Sequence, residues 1–152
     1  MPTKELRCNC STLRSASRTL TAAYDEALRG SGLRVTQFSI LARVAAFERL
    51  MMSELAERMA MDRTTLARNL APLEKEQLVT VTVGGDRRKR FIELTAKGQR
   101  VLANAMPLWE SVHERFERRF GKQRASELRD FLGSVVVTGR AIYEEIAGHP
   151  AH

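Results

Sequence analysis

Apolar residues recur every three or four positions along the first half of the chain, and this spacing predicts a series of amphipathic helices. The predicted helices cover residues 11–29, 36–49, 54–60 and 63–77. The Gly30-Ser31-Gly32 segment ends the first of them. Thr36, Ser53 and Asp62 are the expected N-caps of the other three, because their side-chain oxygens can accept a hydrogen bond from a backbone N–H of the first turn.

The pattern changes its period after residue 78. Val79, Val81 and Val83 alternate with threonines, which predicts a strand with one buried face. The following Gly-Gly-Asp segment predicts a turn, and residues 91–94 predict a returning strand. Thr95 is the expected N-cap of a long helix over residues 96–120, which Pro107 is expected to bend, and a last helix covers residues 123–146.

These elements predict a mainly α fold with a small β-hairpin (α+β), arranged as a winged helix-turn-helix between N- and C-terminal dimerisation helices. The expected parts are an arm and dimerisation helix (1–32), a DNA-binding lobe (33–95) and C-terminal dimerisation helices (96–152). Three long apolar stripes are more than one small chain can cover, and pairing with a second copy would bury them. We therefore expect one intertwined homodimer.

Composition narrows the class of partner. The 152 residues carry 25 Lys and Arg against 18 Asp and Glu, a net charge of +7, which favours an anionic partner such as DNA, RNA or an acidic membrane surface. No apolar run approaches the roughly 20 residues needed to span a bilayer. The N-terminus lacks the apolar segment of a secretion signal, and Cys8 and Cys10 form no disulfide framework. These features predict a cytoplasmic protein.

The segment over residues 53–77 has the form of a helix-turn-helix, and its second helix has two distinct faces. Three leucines share one face and are expected to pack inward, whereas small and basic side chains occupy the other. Arg63, Thr64, Thr65 and Arg68 are the candidate DNA contacts of this helix, since threonine and arginine can hydrogen-bond to base edges and phosphates. A helical pair with a solvated basic face is the alternative interpretation.

The predicted hairpin favours DNA binding over that alternative. Its tip places four consecutive cations on a short loop directly after the helix pair. Such a loop can reach an adjacent minor groove, whose negative potential attracts arginine. The candidate contacts of this wing are Asp86, Arg87, Arg88 and Arg90.

The residues of this region resemble the MarR family of regulators. The wing resembles the family signature through Gly85-Asp86-Arg87-Arg88 and Leu94-Thr95-Ala96-Lys97-Gly98, and the helix-turn-helix does so through residues 55–59 and 62–70. The resemblance implies a homodimer, a recognition helix in the major groove, and a wing arginine, Arg88, held by Asp86 in the minor groove. It also implies a pseudo-palindromic DNA site and a regulator, in most cases a repressor, rather than an enzyme.

A subset of the family senses organic hydroperoxides through one cysteine near the start of the first helix. Cys10 matches that position and Tyr24 matches one tyrosine partner, while Arg14 replaces the other. An adjacent arginine can lower a thiol pKa, so redox sensing by Cys10 is one alternative function. Neighbours two positions apart point in different directions, and a Cys8–Cys10 disulfide is not expected.

Many members of the family bind a small, often aromatic acid. Arg14, Tyr24, Trp109 and His113 are the candidate residues of such an effector pocket. The other histidines, His149 and His152, are too scattered for a metal site, and the sequence has no phosphate-binding loop or catalytic triad. We expect no cofactor, no metal and no enzymatic activity. A nonspecific architectural protein that binds nucleic acid through charge alone remains the second alternative.

Overall fold

The computed structural model describes residues 7–47 and 49–148 and contains six α-helices and three strands. In chain order these are α1 (Asn9–Leu28), α2 (Val35–Ala45), β1 (Leu50–Met51), α3 (Met52–Arg58), α4 (Arg63–Lys75), β2 (Val79–Val83), β3 (Arg90–Leu94), α5 (Ala96–Phe120) and α6 (Lys122–Ala147). The chain divides into two units, the first ending at Val112 and the second beginning at His113. The predicted mainly α fold with a β-hairpin is confirmed.

The small sheet has three antiparallel strands in the order β1-β3-β2. The predicted hairpin of β2 and β3 is present, and in its register Val81 lies opposite Ile92. The third strand, β1, was missed, because two residues are too few to show an alternating pattern. It pairs Leu50 with Ile92 and Met51 with Phe91, and it thereby joins the segment before α3 to the root of the hairpin.

Two of the three predicted N-caps in the first half of the chain are wrong. Helix α2 begins at Val35 rather than after Thr36, since the Asp25 carboxylate of α1 accepts the Val35 N–H at 2.7 Å. Helix α3 begins at Met52 rather than after Ser53, because the Glu54 carboxylate accepts the Met51 N–H at 3.1 Å. In both cases a carboxylate accepts a backbone N–H at the start of the helix, so a Ser or Thr side chain is not needed there as an N-cap. Helix α2 also ends earlier than expected, at Ala45.

The core of the first unit lies between α2, α3, α4 and the sheet. Leu66, Leu70 and Leu73 of α4 are almost fully buried, as the helical spacing predicted. They meet buried residues of α2, of α3 and of the sheet, including Ile40, Leu41, Val44, Leu55, Leu78 and Ile92. This packing fixes the position of α4, so its opposite face is presented to solvent.

The start of α5 packs tightly against the end of α4 and the start of β2. The Thr95 hydroxyl accepts the Gly98 N–H at 2.9 Å, which confirms Thr95 as the cap of this helix. The Thr95 N–H donates to the Leu78 carbonyl at 3.1 Å. A Cβ atom on Gly98 would lie 2.0 Å from the same Leu78 oxygen. Only glycine fits this close approach of helix to backbone.

Two residues with left-handed backbone conformations flank α4. Ala60, in the turn before the helix, has φ 50°, and Gln77, just after it, has φ 59°. Left-handed conformations are uncommon outside glycine and cost about 1 kcal/mol. Each of these residues turns the chain sharply where α4 begins or ends.

The second unit contains the end of α5 and all of α6. Glu117 accepts hydrogen bonds from Arg129 at 3.1 Å, and its carboxylate lies 3.4 Å from the His113 ring. Most large apolar residues of α6 are exposed in the single chain, namely Phe131, Leu132, Val135, Val136, Val137, Ile142, Tyr143 and Ile146. No helix in the described part of the chain is both long and apolar enough to cross a membrane.

Candidate nucleic-acid interface

Three of the four contacts predicted for helix α4 lie on its solvent face. Arg63, Thr64 and Arg68 are exposed, and Ala67 and Ala71 leave the backbone uncovered between them. A helix whose outward side chains are small can lie close to the floor of a major groove, while the longer arginines reach base edges or phosphates. The exposed face of α4 therefore has the shape and the donors that a base-reading helix needs.

Asp62 fixes the first turn of this helix. Its Oδ1 accepts the Thr65 N–H and its Oδ2 accepts the Thr65 hydroxyl, both at 2.8 Å. The N–H of Thr65 thereby holds the pKa of the Asp62 carboxyl below its usual range. The Thr65 hydroxyl is engaged within the cap, so this predicted contact residue is half-buried while its three companions on α4 are exposed.

The wing loop between β2 and β3 is closed by backbone hydrogen bonds. The Gly84 N–H donates to the Lys89 carbonyl at 2.8 Å, and the Lys89 N–H donates to the Asp86 carbonyl at 2.9 Å. The Asp86 carboxylate accepts the Arg88 N–H at 3.0 Å, which organises the loop around this side chain. All four cations of the tip are exposed. The structure thus joins Asp86 to Arg88, although through the arginine backbone.

A groove of about 580 Å³ separates α4 from the wing. Its walls are Met51, Met52, Ser53, Arg63, Thr64, Ala67, Arg88, Lys89 and Arg90. Four of these side chains are cationic and none is a carboxylate, so the groove attracts a polyanion. The walls bring together predicted contacts from the helix and from the wing.

Five groove residues were not among the predicted contacts, namely Met51, Met52, Ser53, Ala67 and Lys89. Met51 and Met52 belong to β1 and the start of α3, and the sequence gives no signal that this segment folds against the wing. Ser53 was assigned to a helix cap, but its exposed side chain lines the groove instead. Lys89 lies within the basic tip, and the run of cations in that tip is the sequence signal that indicates a role for it.

The four candidate effector residues lie on two helices, α1 and α5, and have different surroundings. Arg14 lines a shallow depression with Leu13, Ser17 and Arg18 on α1. The Trp109 ring stacks on buried Phe38 with centroids 5.6 Å apart, which makes it part of the first unit's packing. Tyr24 is half-buried on α1, and His113 belongs to the second unit.

The two cysteines lie at the start of α1 as free thiols. Cys8 is the N-terminal flanking residue, and its carbonyl accepts both the N–H and the hydroxyl of Thr12 at 3.0 Å. Cys10 is exposed in the first turn. Among the described residues no group of three or more His, Cys, Asp or Glu could hold a metal ion, and His149 and His152 lie outside those residues.

Comparisons with known proteins all point to one family. A model described as the MarR family matches residues 31–89, which span the lobe from the end of α1 to the wing tip. Among curated proteins, the transcriptional regulator HosA of Escherichia coli O127:H6 is 34% identical over 97 residues, covering 63% of this chain and 70% of HosA.

Solved structures extend this similarity over most of the chain. The M. tuberculosis transcriptional regulator MosR, solved in complex with DNA, has a TM-score of 0.82 and 42% identity, covering 90% of this chain and 98% of MosR. The transcriptional repressor CouR of Rhodococcus jostii RHA1, solved on a 23-mer DNA duplex, has a TM-score of 0.73 and 25% identity, covering 87% of this chain and 99% of CouR. All three relatives are transcriptional regulators, and the comparisons do not favour the redox-sensing alternative.

Proposed function

The chain belongs to the MarR family of transcriptional regulators, and from this premise we propose that it is a homodimeric repressor that binds a pseudo-palindromic operator in double-stranded DNA. It is a regulator rather than an enzyme. MosR and CouR, which share its fold, have both been solved on DNA.

The observation that carries this proposal is the cationic groove between α4 and the wing. Arg63 lies on one wall, and Arg88, Lys89 and Arg90 lie on the other. In the proposed complex α4 enters the major groove, with Arg63, Thr64 and Arg68 reading base edges. The sugar–phosphate backbone occupies the space between α4 and the wing, and Arg88 reaches the neighbouring minor groove.

We assign dimerisation to the N- and C-terminal helices. The exposed apolar face of α6 supports this assignment, since a second copy is the partner that a closed symmetric dimer requires. Residues 1–32 and 96–152 then form the dimer region and residues 33–95 form the DNA-binding lobe. Two such lobes require half-sites about one helical turn, roughly 34–36 Å, apart or a multiple of it.

We further propose that the regulator acts in the cytoplasm, where it meets its DNA, and that binding of a small molecule releases it from the operator. CouR has been solved both on DNA and bound to p-coumaroyl-CoA, which makes small-molecule control the natural expectation for this fold. The small molecule need only bind more tightly to a dimer whose two DNA-binding lobes are spaced differently from the two half-sites. The contacts of both lobes with DNA then weaken together. Arg14, Tyr24, Trp109 and His113 stay predicted pocket residues.

The deciding experiment is selection of bound fragments from random and genomic DNA, followed by sequencing. An enriched inverted repeat supports a dimeric, sequence-specific regulator. Arg68→Ala should then weaken binding to that repeat by about 1–3 kcal/mol and leave the circular dichroism spectrum unchanged.

Lys75→Ala is the matched control, because it removes one exposed cation from the same helix at its far end. It should change operator binding much less than Arg68→Ala. Tight, salt-sensitive binding to every fragment without enrichment would instead favour the nonspecific architectural alternative.

A further inference from the structure

The outer face of the sheet carries an arginine that the DNA-binding groove does not use. Arg49 immediately precedes β1, and its guanidinium carbon lies 3.8 Å from the centroid of the Phe91 ring. Its Nε lies 3.5 Å from Oε1 of Glu93 on the same strand. One side chain therefore makes a cation–π contact and an ion pair with two residues of β3, two positions apart.

The Phe91 ring makes a second contact at the root of the wing. A Cβ atom on Gly84 would lie 2.8 Å from Cε2 of this ring, so the ring packs directly against the Gly84 backbone. Gly84 is also the residue whose N–H closes the wing loop onto the Lys89 carbonyl. Phe91 thus links Arg49 to the point where the loop leaves the sheet.

Arg49 is not part of the groove wall, although it packs beside it. Phe91 lies opposite Met51 in the β1–β3 pairing, and Met51 lines the groove. Arg90, the neighbour of Phe91 on β3, also lines the groove. Arg49 packs on the Phe91 ring and is not among the residues that line the groove.

The tip of the wing needs such support more than its root does. The root is held by the pairing with β1 and by buried Ile92, whereas the tip extends beyond β1 as a two-stranded hairpin, and such a hairpin is at best marginally stable alone. Four like charges at its tip repel one another and oppose a single ordered loop conformation. We propose that Arg49, through its stack on Phe91, is a positioning residue that holds the wing in its DNA-binding orientation.

The first test needs no DNA. Each of the four tip cations is a trypsin site, so the rate of cleavage between residues 87 and 91, at a temperature well below unfolding, reports how often the wing loosens. Arg49→Ala should raise this rate at least about threefold, the change expected from loss of an exposed cation–π contact. Arg43→Ala is the matched control, since it removes an exposed arginine of α2 whose Nη1 donates to the Ser39 carbonyl of its own helix. Equal rates for the two variants would overturn the proposal.

A second variant guards against a general loss of stability. Phe91→Leu keeps an apolar side chain but removes the ring, and it should raise cleavage of the tip to the same degree as Arg49→Ala. The double variant should be cleaved no faster than either single one, because both lose the same contact. Independent, multiplying effects would mean that Arg49 does not act through Phe91.

The third test uses the operator and rests on the proposed function. Arg49→Ala and Arg88→Ala should each weaken operator binding by about three- to tenfold. Their combination should lose little more than Arg88→Ala alone, since a misplaced wing and a wing without its arginine fail in the same way. Full multiplication of the two losses would show that Arg49 contacts DNA directly and would overturn the positioning role. If no operator exists, the proposed function fails, while the trypsin comparison still decides whether Arg49 holds the wing.

Discussion

Replacing Gly98 by alanine adds one carbon atom at the most crowded point of the first unit. That carbon would lie 2.0 Å from the Leu78 oxygen, 2.9 Å from the Leu78 carbonyl carbon and 3.1 Å from Cδ2 of Leu94. Leu94 can change its rotamer, but the Leu78 carbonyl is held in place because it accepts the Thr95 N–H at 3.1 Å, and the Thr95 hydroxyl donates to the neighbouring Gln77 carbonyl at 2.6 Å. The added atom must therefore separate α5 from the start of β2.

The magnitude follows from three effects. Overpacking a tight site costs about 1–3 kcal/mol. Weakening the Thr95 N–H bond to the Leu78 oxygen costs about 1 kcal/mol, which offsets the gain of about 1 kcal/mol that alanine has over glycine in a helix. The free energy of unfolding should therefore fall by about 1–3 kcal/mol, and for a chain of this size Tm should fall by roughly 2–12 °C.

The assay is thermal unfolding followed by circular dichroism at matched protein concentrations. Gly30→Ala is the matched control, because its added Cβ would meet only Cδ1 of Leu108, at the ordinary contact distance of 3.8 Å. That variant should keep Tm within about 2 °C. The reasoning is refuted if the Gly98→Ala protein melts at the same temperature as the control.

Three further outcomes are expected. Asp62→Ala should lower Tm at neutral pH, and the Tm difference from the wild type should shrink as the pH falls through the lowered pKa of Asp62, because the carboxylate that caps α4 is present only above that pKa. Asp62→Asn should keep the cap. A Tm difference between Asp62→Ala and the wild type that stays constant down to pH 2 would contradict the assignment of the effect to the Asp62 carboxylate. Arg88→Ala should weaken operator binding and reduce the slope of log K against log salt by about 1, as measured by fluorescence anisotropy from 50 to 200 mM salt, where an unchanged slope would place the wing off the DNA. Val136→Asp should convert the dimer to monomers in light scattering, and a dimer that survives would assign the interface to other residues.

The sequence predicts the elements whose signals are local. The signals of strand β2, of the three leucines of α4 and of the caps Asp62 and Thr95 each lie within a few residues, and the structure confirms these features. The buried valine face predicted for β2 holds for Val79 and in part for Val81, whereas Val83, near the wing tip, is 58% exposed.

The sequence does not predict features that depend on distant partners. Asp25 caps α2 from ten residues away, and β1 forms only because β3 returns beside it. The same is true of the groove: its cations were predicted from composition, but Met51 and Met52 join them through the β1–β3 pairing. Arg49 carries no local signal, because its partners Phe91 and Glu93 follow more than forty residues later.

The left-handed residues on either side of α4 bear on how such a regulator evolves. Ala60 and Gln77 fix where the helix begins and ends, and three buried leucines hold its inner face. Neither constraint involves the outward residues, so under the proposed function substitutions at Thr64, Arg68 or Ala71 should change which operator is read and leave the helix in place. After gene duplication, a copy of this lobe can therefore acquire a new set of target genes by a few surface mutations, each tolerated by the fold.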